Sequence, residues 1–283
     1  SLTLQNGTVS AILAGSASIN KTTSGTLTLA GNNTLSGGIT LSAGQLNLNT
    51  SGALGSGNFT IQGGSLGNTS GSSVTISSSA SQFWNADFTY AGPNDLNLGT
   101  GAVAMNATRA ITVDSGTLTA GGAISGSGFG LTKNGSSTLA LNSINTYTGG
   151  TTVNAGTLVL GHATDTLANA AAVTVSGGTL SLGSNNDTIG ALTLTGGSIT
   201  GSTGVLTASS LTLQNGTVSA ILAGSASLNK TTSGTLTLSG ANTYTGGTTV
   251  NDGTLVLGHA TDTLANAGAL TVNGGTLSLE SNN

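Results

Sequence analysis

Apolar and polar residues trade places every second position along much of this chain. Thr235-Leu236-Thr237-Leu238 and Thr254-Leu255-Val256-Leu257 are the plainest cases, and a period of two marks a strand with one buried face. Between such runs stand pairs of Gly, Asn and Ser, with a single Pro in 283 residues. That punctuation predicts short strands joined by tight turns. No window sustains a helical period, and the most Ala-rich stretch, Ala168 to Ala172, covers only a few residues.

The pattern also repeats on a longer scale. GGTTVNAGTLVLGHATDTLANA from Gly149 returns from Gly246 as GGTTVNDGTLVLGHATDTLANA, 97 residues later. SLTLQNGTVSAILAGSAS from Ser1 returns from Ser210, and a weaker third copy of the first theme starts at Lys21. Lys21, Lys133 and Lys230 hold the same phase, spaced 112 and then 97 residues apart. The longer interval contains Gln82 to Asp95, which resembles nothing else in the chain, so an insertion of about 15 residues is expected there. The chain opens and closes inside repeats and is expected to be part of a longer array. The predicted organisation is one continuous solenoid with units at about 21–132, 133–229 and 230–283, the last partial.

A unit of 97 residues is too long for one coil. Strand signals about every ten residues predict four or five coils per unit, each of two or three short strands. In a stacked parallel coil each strand pairs with its equivalents above and below, about 4.8 Å away. Inward Leu, Val and Ile then form columns, and outward Thr and Ser form polar ladders. The fold class is therefore all-β, a right-handed parallel β-helix (β-solenoid), with about a dozen coils making an elongated rod of roughly 55–70 Å.

Composition supports this reading. Only 4% of residues are charged, against about a quarter in ordinary domains. Like charges stacked between neighbouring strands repel, so their scarcity suits a stacked coil. A hydrophobic content of 36% with a net charge of −4 excludes disorder for most of the length. Four scattered basic residues exclude nucleic acid as a partner, which needs clustered Lys and Arg. The absence of Cys removes disulfides, thiolate zinc sites and cysteine nucleophiles. No apolar run of about 18 residues is present to span a membrane as a helix.

The order Lys-x-Gly/Thr-x-(Gly/Ser)-Thr-Leu-x-Leu, then Asn-Thr-Tyr-Thr-Gly-Gly-Thr-Thr-Val-Asn-x-Gly-Thr-Leu-x-Leu, resembles the autotransporter-associated β-strand repeat, also called the passenger-associated transport repeat. The copies from Lys133 and Lys230 match almost throughout. The copy from Lys21 departs, with Asn33-Thr34-Leu35-Ser36 for Asn-Thr-Tyr-Thr and Gln45 in place of Thr. The resemblance implies a right-handed β-helix in a large bacterial passenger protein exported to the outer surface. It also implies a repeat that aids outer-membrane passage and folding and carries no catalytic residues.

Candidate chemistry is thin. His162 and His259 each precede an aspartate by three residues, Asp165 and Asp262, and the duplication favours a corner hydrogen-bonding pattern over a metal or catalytic role. Gly63-Gly64-Ser65-Leu66-Gly67 fits the nucleophile-elbow spacing, yet it lacks the strand-to-helix turn and has no His before residue 162. Asp114-Ser115-Gly116 echoes an aspartic-protease loop but aligns with the turn Gln214-Asn215-Gly216. Asp87, Asp95, Asp114 and the single Arg, Arg109, are the residues a glycan-cleaving β-helix could gather. Phe83, Trp84, Phe88 and Tyr90 are half of the eight aromatic residues. Exposed, they would hold a partner; buried, they would form a small satellite core under a protruding loop ended by Pro93. Tyr147 and Tyr244 are expected to pack at a corner.

The sequence thus predicts a non-enzymatic extracellular solenoid with no cofactor or metal, serving as stalk, filament or surface-layer material. The alternative is an adhesin binding glycans or a host or neighbour cell surface through residues 82–95 or the Thr/Asn faces. A further expected partner is the chain itself, end to end or side by side.

Overall fold

Each alternating run lies against a run about twenty residues further along the chain. The computed structural model describes residues 1–259, 264 and 268–279. Among them every strand pairs in parallel and no helix occurs. The chain forms two compact units, Ser1–Tyr147 and Thr148–Asn283, and each is a parallel β-solenoid.

The first unit has three main faces. One is formed by Ile19–Lys21, Ile39–Leu41, Phe59–Ile61, Gln82–Trp84, Val103–Met105 and Ile124–Ser125. The second runs from Gly7–Val9 through Thr26–Leu29, Gln45–Leu48, Ser65–Gly67, Phe88–Tyr90 and Arg109–Val113 to Leu131–Asn134. Val74–Thr75, Leu96–Asn97, Thr117–Ala120 and Thr138–Leu141 form the third. Register follows residue type: Ile19, Ile39 and Phe59 stack on the first face, and Leu27, Leu46, Leu66, Tyr90 and Val113 stack on the second. These side chains are all but fully buried, each contributing roughly 1.5–3 kcal/mol by leaving water.

Residues 82–95 differ from the expected protruding loop. Gln82–Trp84 lies in register between Phe59–Ile61 and Val103–Met105, and Phe88–Tyr90 lies between Ser65–Gly67 and Arg109–Val113. The segment is part of the coil, because its own alternation buries Gln82, Trp84, Phe88 and Tyr90 as any other strand pair would. The extra length shows elsewhere. The strand carrying Lys21 stands on the first face and the strand carrying Lys133 on the second, so the repeat has moved round the coil by one face.

The second unit has two long faces. One contains Thr151–Val153, Val173–Val175, Asp187–Leu194, Val205–Leu213, Leu228–Lys230, Thr248–Val250 and Leu270–Val272, with Ile221–Ala223 joining beside Val205–Leu213. The other contains Thr157–Leu160, Thr179–Gly183, Ser198–Gly201, Gly216–Val218, Thr235–Leu238, Thr254–Leu257 and Thr276–Leu279. Leu236 and Leu255, neighbours in one column, are both 0% exposed.

Candidate functional site

The most unusual interior groups are the three lysines. Lys21, Lys133 and Lys230 occupy inward strand positions, stacked on Leu41, Ile111 and Val250, and each is 0% exposed. Their ammonium groups reach the corner at the end of the strand. Lys21 Nζ donates to the carbonyl of Thr23 and, at 3.2 Å, to that of Ala43 in the next coil. Lys133 Nζ donates to Asn134 O at 2.7 Å and Gly135 O at 2.8 Å, and Lys230 Nζ to Thr232 O. Burial lowers the pKa of all three. Lys133 falls to about 8, with the carboxylate of Asp114 acting the other way. A Cβ at Gly44 or Gly253 would stand 2.6 Å from the Nζ of Lys21 or Lys230, so the glycine makes room for the ammonium.

A buried asparagine completes each copy. Asn33 accepts from the Leu13 amide at 2.9 Å and donates to Ala53 O at 2.8 Å. Asn145 accepts from the Ile124 amide, and Asn242 from the Leu222 amide, one coil earlier in each case. Two positions on, Leu35, Tyr147 and Tyr244 fill the interior, and the Tyr244 hydroxyl lies 2.6 Å from Thr248 Oγ1. The buried amide thus binds coil to coil in every copy, and the cation of Lys21 does so as well.

Of the four aromatic candidates, Trp84, Phe88 and Tyr90 belong to the core, at 0%, 3% and 0% exposure. Only Phe83 faces outward, half-buried. The rings of Trp84 and Phe88 meet edge to face at 5.2 Å. The Tyr90 hydroxyl donates to Asn94 O, and burial, aided by the charge of Asp95, pushes its pKa up to about 12. Gln82 Oε1 and Trp84 Nε1 are buried without hydrogen-bond partners.

Two of the three carboxylates weighed for glycan cleavage, Asp87 and Asp95, are engaged with different partners. Arg109 Nη1 lies 3.7 Å from Asp87 Oδ1, while its Nε donates to Trp84 O at 3.1 Å and its Nη2 to Asn106 Oδ1 at 2.5 Å. Asp87 also accepts the Ala110 amide, and Asp95 the Thr117 amide. Asp114 is exposed at a corner whose neighbour Ser115 donates to Gly92 O. Gly63-Gly64 is a turn leading into the strand Ser65–Gly67, whose Ser65 hydroxyl donates to Gly44 O at 3.4 Å.

His162 Nδ1 lies 2.5 Å from the Thr164 carbonyl, within its own loop. Asp262, the partner weighed for His259, lies outside the described residues. Among the described residues no three His, Cys, Asp or Glu side chains converge as metal ligands. Sequence reading passed over Asp187, a 2% exposed carboxylate whose Oδ2 accepts the Leu167 amide at 3.1 Å. Its signal was available: Asp187-Thr188-Ile189 alternates, which places the aspartate inward. The same rule places Lys21 inward in Ile19-Asn20-Lys21.

A family model, the Passenger-associated-transport-repeat, matches residues 19–48, 131–160 and 228–257. The chain therefore carries three such repeats, each containing one of the buried lysines. No curated protein and no solved structure matches the chain. A parallel β-solenoid with these repeats fits the passenger domain of an autotransporter.

Proposed function

We propose that this chain is a stretch of an exported bacterial passenger protein with a mechanical role, as stalk, filament or surface-layer scaffold outside the cell. One observation carries the reading. In every copy of the repeat, the groups with chemical potential (Lys21, Lys133, Lys230 and Asn33, Asn145, Asn242) are buried and bonded to backbone. A motif so disposed serves construction, and secretion to the surface is what the repeat family implies. The reading is non-catalytic and needs no cofactor. Solenoid coils interact with their nearest neighbours, so further coils of the same array, or other copies of the chain, are the natural partners.

A second reading, adhesion to glycans, rests on an outward ladder. Thr152, Thr174, Thr193 and Thr212 stand in successive coils of the second unit, offering hydroxyl groups about 4.8 Å apart. The aromatic route to adhesion through residues 82–95 is narrow, since of Phe83, Trp84, Phe88 and Tyr90 only Phe83 faces outward.

Electron microscopy of native surface material labelled with an antibody to this chain tests the first reading, with labelled fibres or stalks expected. Label confined to unassembled, dispersed protein would overturn it. Replacing Thr174, Thr193 and Thr212 by Val keeps the strand shape and removes the hydroxyls. Loss of surface attachment by that variant, with the solenoid intact, would favour adhesion.

A further inference from the structure

Between the strands Thr157–Leu160 and Val173–Val175 the chain leaves the coil in a loop, residues 161–172. Its first half folds back on itself. Thr166 Oγ1 donates to His162 O at 3.3 Å, and Asp165 turns the chain at φ 49°, the one non-glycine residue with positive φ among the described residues. The loop then pairs with the next coil. The Asp165 amide donates to Asn186 O at 3.1 Å, and the Asn186 amide to Ala163 O at 3.2 Å.

That pairing covers Asp187. The carboxylate is 2% exposed under Thr166 and Leu167, themselves 0% and 1% exposed. Oδ2 accepts the Leu167 amide, and Oδ1 has no hydrogen-bond partner. No lysine or arginine lies on the loop or on the strands Val173–Val175 and Val205–Leu213 that pair with the strand of Asp187. A buried carboxyl with one unused oxygen is tolerable as the acid and unfavourable as the anion.

We propose that Asp187 is a pH-sensitive latch for residues 161–170: the loop closes over the protonated carboxyl, and ionisation drives it open so that water reaches both oxygens. The titratable groups carried by the covering loop are His162 and Asp165, of which Asp165 acts on Asp187; the paired strands bring none. Burial raises the Asp187 pKa from 3.8 to about 7, and the charge of Asp165 acts in the same direction. The backbone amides of Leu167, Thr166 and Thr188 pull the other way. The sign follows. The closed state keeps its proton up to about pH 7 while the open state releases it near 4, so closure is firmest below 4. It then weakens up to about tenfold per pH unit and levels off above 7.

Hydrogen exchange of the Thr166 and Leu167 amides, corrected for the intrinsic effect of pH, is the test. In the whole chain, protection is expected to fall about a hundredfold from pH 5 to 7 and stay level above. D187N should hold its protection constant over that range. D165N, which removes the neighbouring charge at the loop surface, should level off at lower pH. H162Q should leave the profile unchanged. A flat profile in the unaltered protein, a slope that persists in D187N, or a slope abolished by H162Q would each overturn the latch. Should D187N fail to fold, the unaltered protein, D165N and H162Q still decide it.

Discussion

A lysine in an apolar column is worth keeping only if its donors meet acceptors that would otherwise be stranded. Lys21 bridges the carbonyls of Thr23 and Ala43, and a buried acceptor left unpaired costs about 1–3 kcal/mol. Lys21→Met preserves the apolar stem and removes the donors, so it is expected to destabilise the first unit by about 1–3 kcal/mol, read from a denaturant midpoint. Lys133 predicts a pH effect. Its pKa is lowered to about 8 from 10.5, so the folded chain sheds the proton before the unfolded chain does. The neutral amine still donates twice, to Asn134 O and Gly135 O. The contribution of Lys133 to stability is therefore level below pH 8 and rises as pH climbs from there toward 10.5. Tyr90, raised to about 12 from 10, opposes this only above pH 10. The denaturation midpoint measured between pH 8 and about 9.5 should rise, and Lys133→Met should reduce the rise, leaving what Lys21 and Lys230, also lowered by burial, contribute. Gly246 acts by shape alone: a Cβ there would stand 2.4 Å from the Ala226 carbonyl of the preceding coil. Gly246→Ala must push two coils apart, and a lower melting temperature checks it.

At the scale of elements, register decides what a residue is for. Trp84 stacks between Ile61 and Met105 in the first-face column headed by Lys21 and Leu41. Trp84→Ala leaves a cavity in that column and is expected to cost about 3–5 kcal/mol, as large core truncations do. A binding role would predict the opposite, a fold of unchanged stability with weaker attachment. Phe83, one residue away and outward, should tolerate Ala with a change within about 0.5 kcal/mol; thermal denaturation of the two variants side by side distinguishes the roles. Period two explains why Phe83 and Trp84 differ so sharply despite adjacent positions. It also explains why residues 82–95, unlike the repeats in sequence, are like them in structure. The alternation of Gln82-Phe83-Trp84 and Phe88-Thr89-Tyr90 was visible in the sequence.

For the whole molecule, the relevant physics is that solenoid coils exchange energy with their neighbours and little beyond. Trp84 is the single tryptophan and lies in the first unit; Leu192, 0% exposed between Val173 and Leu211, lies in the second. Leu192→Ala should cost the second unit about 2–5 kcal/mol and leave the fluorescence transition of Trp84 where it was. Circular dichroism, which sees both units, should show the shift. A Trp84 transition that moves equally would mean the chain unfolds as one cooperative body.

Several features of this protein were settled by its sequence. Alternation dictates strands, Gly and Asn pairs dictate corners, and repetition with matching phase dictates that like residues stack, because identical coils bury identical columns. The resemblance of the Lys21, Lys133 and Lys230 segments to a transport repeat was readable for the same reason, since order and spacing are properties of the chain itself. Tertiary structure alone decided where the lysine ammonium groups go, that Asp87 meets Arg109, that the repeat moves round the coil by one face between Lys21 and Lys133, and that Asp187 lies beneath the loop from Gly161. Each of these depends on which residue one coil away faces a given side chain. That partner is set by how many residues each coil holds, and coil length varies along the chain.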